Sequence, residues 1–338
     1  QITEDELRVI LANFAIQLYQ QSGGIVVSDY LLLEGKSDIT DNDVFNSLIK
    51  DLLGNVDVSR ITLTNIQVAL NSKVQLVPLE DTLGFAYISL RDLSHRKQTG
   101  AYYTPEKTVN TLIYNLKNCA NVQNKILCDP CCGTGNFLIG LVGNGVKTEN
   151  LYGQDIDEIS ILITRINMFL LDNSITKEQL YSQFVCGDTL SNTFSRKFSV
   201  VLGNPPWGYD FNKEETAYLT ANYITAKNKG MESYDLFIEK ALRNLSINGQ
   251  LSFILPEAIL NVKAHTPVRT AIMESNSIRY LNFLGNAFDK VQCPCIILQL
   301  IHTGKPLSTV GMEVSDCSHC TTILTNRKIS AEYFSFHT

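Results

Sequence analysis

Cys128-Asp129-Pro130-Cys131-Cys132-Gly133-Thr134-Gly135-Asn136-Phe137 is the stretch that decides the fold. It closes a short apolar run, Ile126–Asp129, with the look of a strand. Gly133 and Gly135 let the chain turn tightly and bring its backbone close to a ligand. Asn136 starts the helical pattern of residues 135–143. Taken alone, Gly-Thr-Gly also fits a plain tight turn. No Gly-Lys-Ser/Thr follows it, so it is not a phosphate-binding P-loop. Position 138 is Leu where a dinucleotide fingerprint needs a third glycine, which weighs against a pyrophosphate ligand.

Outward from this loop the rhythm repeats. Leu151–Gln154, Gln183–Cys186 and Phe198–Leu202 read as strands, and 158–171 as a helix between two of them. Tyr234–Leu245 predicts a helix, Leu251–Leu255 a strand and Pro267–Glu274 a helix; Ile278–Leu284 and Cys295–Ile301 predict two more strands. Short strands alternating with helices make a parallel α/β sheet covered on both faces. The short Gly285–Val291 connection predicts that the last two strands form an antiparallel edge. Residues 208–231, rich in Gly, Asn, Lys and Glu, are expected to be a mobile surface insertion.

Such sheets bind ligands beyond the carboxyl ends of their strands, and three of those ends carry acids. Asp129 ends the first. Asp155, in Gly153-Gln154-Asp155-Ile156-Asp157, is placed to accept hydrogen bonds from ribose hydroxyls, with Asp157 as the cap of the following helix. Asp188 ends the third and can accept from an adenine amine; each acid alone is equally compatible with a strand-end cap. The fourth strand runs into Gly203-Asn204-Pro205-Pro206-Trp207. Consecutive prolines cannot continue a hydrogen-bonded strand and hold the backbone extended. That fixes the Asn204 amide oxygen and the Pro205 carbonyl as two acceptors for one planar amine, with Trp207 as a stacking face.

Residues 1–95 read as a mostly helical domain or cap, either a structural appendage or an element that closes over the cofactor or contacts DNA. Leu7, Ile10, Leu11, Phe14, Ala15, Leu18 and Tyr19 recur at helical spacing in 1–23. Leu31–Leu33 and Asp43–Leu53 suggest further helices, Ile61–Leu70 is ambiguous, and Val77–Tyr87 has room for a last short one. The expected division is 1–95 helical, 96–301 catalytic, and 302–338 an extension without a coherent core pattern, which either begins a further domain, such as a recognition domain, or packs on the main body.

At 338 residues and 44% hydrophobic the chain can bury a substantial core. Its net charge of −6 does not favour a polyanionic partner unless charge is segregated or another subunit supplies basic surface. Nine irregularly spaced cysteines, Cys128 and Cys186 in buried-looking positions, suit a reducing cytoplasm. No basic, apolar leader opens the chain, and no apolar run nears the ~20 residues that span a bilayer. A cytoplasmic protein with no membrane partner is expected, and Gln1 points to a fragment or processed chain. Cys317-x-x-Cys320 around His319 is half a zinc site at most, and His265 and His302 lack ligand spacing, so no metal is expected.

The series of Asp129, Gly133, Gly135, Asp155, Asp188 and Asn204–Trp207 resembles the N6-adenine DNA methyltransferases of restriction-modification systems. TaqI-like type II enzymes and the modification subunits of type I systems are the nearest kinds. The resemblance spans about residues 98–301 and implies a Rossmann-like S-adenosylmethionine-dependent methyltransferase sheet preceded by a helical region. It implies S-adenosyl-L-methionine as cofactor, with Asp129, Asp155 and Asp188 as the first-strand, ribose and adenine acids. Thr104, in Gly100-Ala101-Tyr102-Tyr103-Thr104-Pro105, takes the place of a methionine contact. Asn204, Pro205, Pro206 and Trp207 become the catalytic segment, and Phe288, in Gly285-Asn286-Ala287-Phe288, the second base-stacking aromatic. Trp207 departs from the family's commoner Tyr or Phe, which preserves stacking and alters pocket volume. The partners implied are double-stranded DNA with a flipped base and a specificity or restriction subunit or domain. N4-cytosine fits the same acceptors, and RNA or a protein glutamine amide is a more distant substrate. C5-cytosine chemistry needs a Cys nucleophile at the fourth strand end, where there is none. A non-catalytic DNA-recognition or assembly module is the alternative from another class, opposed by the intact Asn204, Pro205 and Trp207.

Overall fold

A computed structural model describes residues 2–27, 39–57, 60–61, 63–91, 103–119, 121–227, 230–288, 293–306, 312–316 and 323–325. The expected segments Leu31–Leu33, Gly100–Tyr102 and Cys317–Cys320 lie outside these residues.

Four helices come first: α1 (Glu4–Gln21), α2 (Asp43–Leu53), α3 (Leu63–Leu70) and α4 (Thr82–Leu90). Local chemistry fixes their starts. Thr3 and Glu6 form a reciprocal capping box on α1, and the side chains of Asn42 and Asp81 cap α2 and α4. The ambiguous stretch 61–70 resolves as helix. α5 (Glu106–Cys119) then leads into β1 (Leu127–Asp129), α6 (Asn136–Gly143), β2 (Leu151–Asp155), α7 (Glu158–Leu171), α8 (Lys177–Gln183), β3 (Phe184–Cys186) and β4 (Phe198–Gly203). After them come α9 (Lys213–Asn222), α10 (Ser233–Asn244), β5 (Leu245–Pro256), α11 (Thr266–Ser275), β6 (Asn276–Gly285), β7 (Cys295–His302), β8 (Glu313–Asp316) and β9 (Ile323–Thr325).

The strands lie in the order β3-β2-β1-β4-β5-β7-β6-β8-β9. β1 to β5 are mutually parallel, and β7 runs antiparallel to both β5 and β6. This is the Rossmann-like sheet that the resemblance implies, with the strand order reversing at β1. Successive β4 residues alternate between two cores: Val200 and Leu202 pack with α5, α6 and α7, while Val201 packs with α9, α10 and α11.

Three expectations need correction here. The antiparallel strand is not an edge. β7 sits between β5 and β6, and its first six residues are all buried, so both its sides are paired and both its faces covered. Beyond residue 302 the chain packs on the main body, one of the two expected outcomes: β8 pairs in parallel with β6, Tyr280 opposite Glu313, and β9 pairs with β8. The stretch 208–231 holds a capped helix rather than a loose insertion. Asn212 and Glu215 form a capping box on α9, and Leu219, Tyr223 and Ala226 enter the core. Cys128 is buried as expected, but Cys186 is exposed at the end of the edge strand β3.

The helical region is joined to the sheet through α7, whose residues Ile159 to Phe169 are all buried. Phe169 lies against Phe45 (5.8 Å between centroids) and Tyr19 (6.3 Å), and Tyr19 stacks on Phe45 at 4.2 Å. No helix among the described residues is long and apolar enough to cross a membrane. Because Phe169 is fully buried in this seam, Phe169→Ala is expected to cost about 3–5 kcal/mol. Denaturant unfolding should show a lowered midpoint, and an unchanged midpoint would show that the seam contributes nothing.

Candidate active site

The loop after β1 is anchored on three sides. Cys132 N–H donates to the Gln154 carbonyl (3.0 Å), Gly133 N–H to Asp155 Oδ2 (2.8 Å), and the Thr164 hydroxyl to the Gly133 carbonyl (2.8 Å). Gly133 and Gly135 take the left-handed φ values of 53° and 93° that this turn demands. Asp155 also accepts from Asp157 N–H (2.9 Å), so its carboxylate orders both the loop and the chain entering α7. Asp157 stands at the N-cap of α7 without capping its backbone. Its Oδ2 instead accepts from the Tyr87 hydroxyl (2.7 Å), the Ser160 hydroxyl (2.6 Å) and Arg91 (3.0 Å). Asp188 accepts from the backbone of Leu190 (2.9 Å) and Ser191 (3.2 Å), the strand-end capping role.

Asp129 is fully buried. One carboxylate oxygen accepts from Cys131 N–H (3.0 Å), while Oδ2 has no partner among the described residues. Burial, reinforced by the neighbouring Asp155 charge, pushes Asp129 up to about 7, and burial pushes Asp155 up to about 6. The thiols of Cys131, Cys132 and Cys295 are also pushed up by burial, which disfavours thiolate nucleophiles there. Among the described residues no group of His, Cys, Asp and Glu has metal-binding geometry.

β4 delivers the second half of the site. Gly203 has φ 150°, and a Cβ on it would lie 2.5 Å from Asp129 Oδ1, so only glycine lets the two strand ends come this close. The next residue is the half-buried Asn204. Its Nδ2 donates to the hydroxyl of buried Thr104 (3.2 Å), and its Oδ1 is buried without a partner among the described residues. The Thr104 carbonyl in turn accepts from Asn136 Nδ2 (2.8 Å), the first residue of α6. One chain of contacts thus runs from the glycine loop through Thr104 to the Asn204 amide. Behind the prolines, the buried Ser233 hydroxyl at the start of α10 donates to the Pro206 carbonyl.

Trp207 and Phe288 meet edge to face, centroids 5.1 Å apart and planes at 85°, and the indole N–H is buried without a partner among the described residues. The structure therefore brings the two expected aromatics together, but as touching rings. A planar base between them needs parallel faces about 7 Å apart, two van der Waals separations. Asn136, Gly203 and Ser233 were not singled out from sequence. Adjacency to the glycine loop and to Asn204 was an available signal for the first two; nothing in the sequence marks Ser233.

The N-6 DNA Methylase family matches residues 79–315, a span that takes in α4 and leaves out α1 to α3. Type II methyltransferase M.VspI of Vibrio sp. (strain 343) is 31% identical over 195 residues, 56% of this chain and 45% of that protein. A tRNA (guanine(10)-N2)-dimethyltransferase of Methanocaldococcus jannaschii is 31% identical over 152 residues, 42% of each chain. Among solved structures, one described as a class I S-adenosylmethionine-dependent methyltransferase from Listeria monocytogenes superposes with a TM-score of 0.58 at 21% identity, covering 93% of both chains. The chain spans less than half the length of these two sequence relatives. With more than half of its residues inside the family match, and the matched span carrying the glycine loop, the strand-end acids and Asn204–Trp207, this chain belongs to the N-6 DNA Methylase family.

Proposed function

We propose that the protein transfers a methyl group from S-adenosyl-L-methionine to the exocyclic N6 amine of adenine in DNA, within a restriction-modification system. The observation that carries this reading is the oriented amide of Asn204. Thr104 holds its Nδ2, so Oδ1 remains a buried acceptor with no partner among the described residues. An unmet buried acceptor costs about 1–3 kcal/mol, a cost relieved when a substrate amine donates to it.

The residues fit the cofactor. Asp129 Oδ2 is an orphaned buried oxygen among the described residues, and burial raises Asp129 and Asp155, so a ligand bearing cationic ammonium and sulfonium groups would favour the ionised forms that burial penalises. Asp155 and the exposed face of Ile156 would take the ribose and adenine, Asp188 the adenine amine, the Gly133–Gly135 backbone and Asp129 the methionine end, with Thr104 alongside. When bound, the cofactor supplies an electrophilic methyl group. Asn204 Oδ1 and the Pro205 carbonyl accept from N6, turn its nitrogen toward that methyl, and stabilise the positive charge that grows there. Pro206, held by Ser233, fixes the carbonyl geometry. Trp207 and Phe288 part to admit a flipped base and stack on its faces.

Adenine is favoured by the family description and by the order of the glycine loop before Asn204. N4-cytosine offers the same amine, and the tRNA relative acts on N2 of guanine by its name, so the acceptor pair itself selects amines rather than one base. Mass spectrometry of nucleosides from DNA methylated by the full-length protein discriminates them. Duplex recognition is assigned to a specificity or restriction subunit or domain, because a chain of net charge −6 supplies little phosphate affinity.

Asn204→Ala is expected to bind S-adenosylmethionine within about threefold of the parent, while methyl transfer falls by about 100-fold or more. Undiminished turnover would overturn the mechanism. A second outcome follows from the acids. A cationic ligand favours their ionised forms, so binding expels protons, and affinity should fall as pH drops from about 8 to about 5, through the raised values of Asp129 and Asp155. Calorimetry in buffers of different ionisation enthalpy measures the protons released; a pH-independent affinity with no proton release contradicts this electrostatic account.

A further inference from the structure

We propose that α4 is a positioning element of the cofactor site, clamping the glycine loop and the segment after the ribose acid at a fixed spacing. This rests on the cofactor reading above and extends it to residues assigned from sequence to a separate helical region. The clamp has two jaws. At its N-terminus, Asp81 is 1% exposed and turns its carboxylate into the glycine loop. Oδ2 accepts from the Thr134 hydroxyl, and Oδ1 from Asn167 Nδ2 (2.7 Å) and Gly84 N–H (2.8 Å). The same Asn167 amide donates to the Thr134 carbonyl (2.9 Å), so Thr134 is held by both its side chain and its backbone. A side chain on Gly84 would overlap the Asp81 carboxylate and the Thr134 hydroxyl, which shows how closely the helix presses on the loop.

One helical turn beyond Gly84, the buried Tyr87 donates to Asp157 Oδ2 (2.7 Å), and Arg91 at the C-cap pairs with the same oxygen (3.0 Å). Asp157 is two residues from Asp155, which holds Gly133 N–H. α4 therefore spans the β1 and β2 strand ends from outside the sheet, and the Gly133–Asp155 contact lies between its two attachment points. A carboxylate as deeply buried as Asp81 is costly unless its hydrogen bonds are all made, so these contacts form or break together. Any ligand seated on Gly133–Gly135 and Asp155 must then be coupled to α4, and the coupling is reciprocal.

Two measurements on the whole chain test this. In the unmodified protein, S-adenosylmethionine should slow amide exchange in residues 82–90 at least about threefold, with little change in 43–53. By calorimetry, Thr134→Val, which removes the hydroxyl at nearly constant volume, should weaken cofactor binding about five- to tenfold. Thr134→Ser, which restores the hydroxyl, should stay within about twofold of the parent, and Tyr87→Phe should weaken binding about threefold. Cofactor binding that leaves α4 exchange unchanged, or Thr134→Val and Tyr87→Phe proteins that bind like the parent, would overturn the clamp while leaving the cofactor reading intact. A parent protein that fails to bind S-adenosylmethionine at all sinks the cofactor reading, and the clamp with it.

Discussion

The hydrogen bond from Gly133 N–H to Asp155 is the constraint on which the site depends. It joins the turn after the first strand to the end of the second, and makes one cradle of two loops 22 residues apart in sequence. Asp155 is half-buried in doing this, and desolvation raises both it and the fully buried Asp129. A cradle with two such carboxyls side by side is poorly suited to an anionic ligand and well suited to a cationic one. The absence of a Gly-Lys-Ser/Thr sequence and of a third glycine points the same way.

The second half of the site is oriented by the first. Asn136 opens the helix that follows the glycine loop and holds the Thr104 carbonyl, while the Thr104 hydroxyl holds the Asn204 amide. A shift in the cofactor loop is thereby transmitted to the acceptor that would meet the substrate amine. Gly203 completes the coupling, because its missing side chain leaves room for the Asp129 carboxylate between the two strand ends.

Much of this was legible in the sequence because the signals were local. Four short apolar runs became β1 to β4 within a residue or so of their expected bounds, since turn residues and strand-end acids bracket them. Asn204 meets Thr104, Asp129 lies against Gly203 beside Asn204, and Trp207 meets Phe288 edge to face. What escaped was non-local. The place of β7 depends on which strands flank it, and an apolar run reads the same at an edge or in the middle of a sheet. The polar composition of 208–231 concealed a capping box and a stripe of Leu219, Tyr223 and Ala226. Cys186 looked buried by its neighbours but lies on the edge strand β3. Asp81 gave no sign of its role, because its partners Thr134 and Asn167 are 53 and 86 residues away.

The position of β7 also dictates an order of assembly. β5 and β6 are made first, yet each has β7 as a neighbour, so neither can complete its pairing until residues 295–302 have left the ribosome. Until then the chain carries two apolar strands, each with an unpaired edge, the kind of template on which other chains aggregate. Insertion of β7 closes the facing edges of β5 and β6 at once, and β8 then covers the other edge of β6. A nascent chain whose emerged part ends just before residue 295 should thus need chaperone protection far more than one whose emerged part extends just past 302.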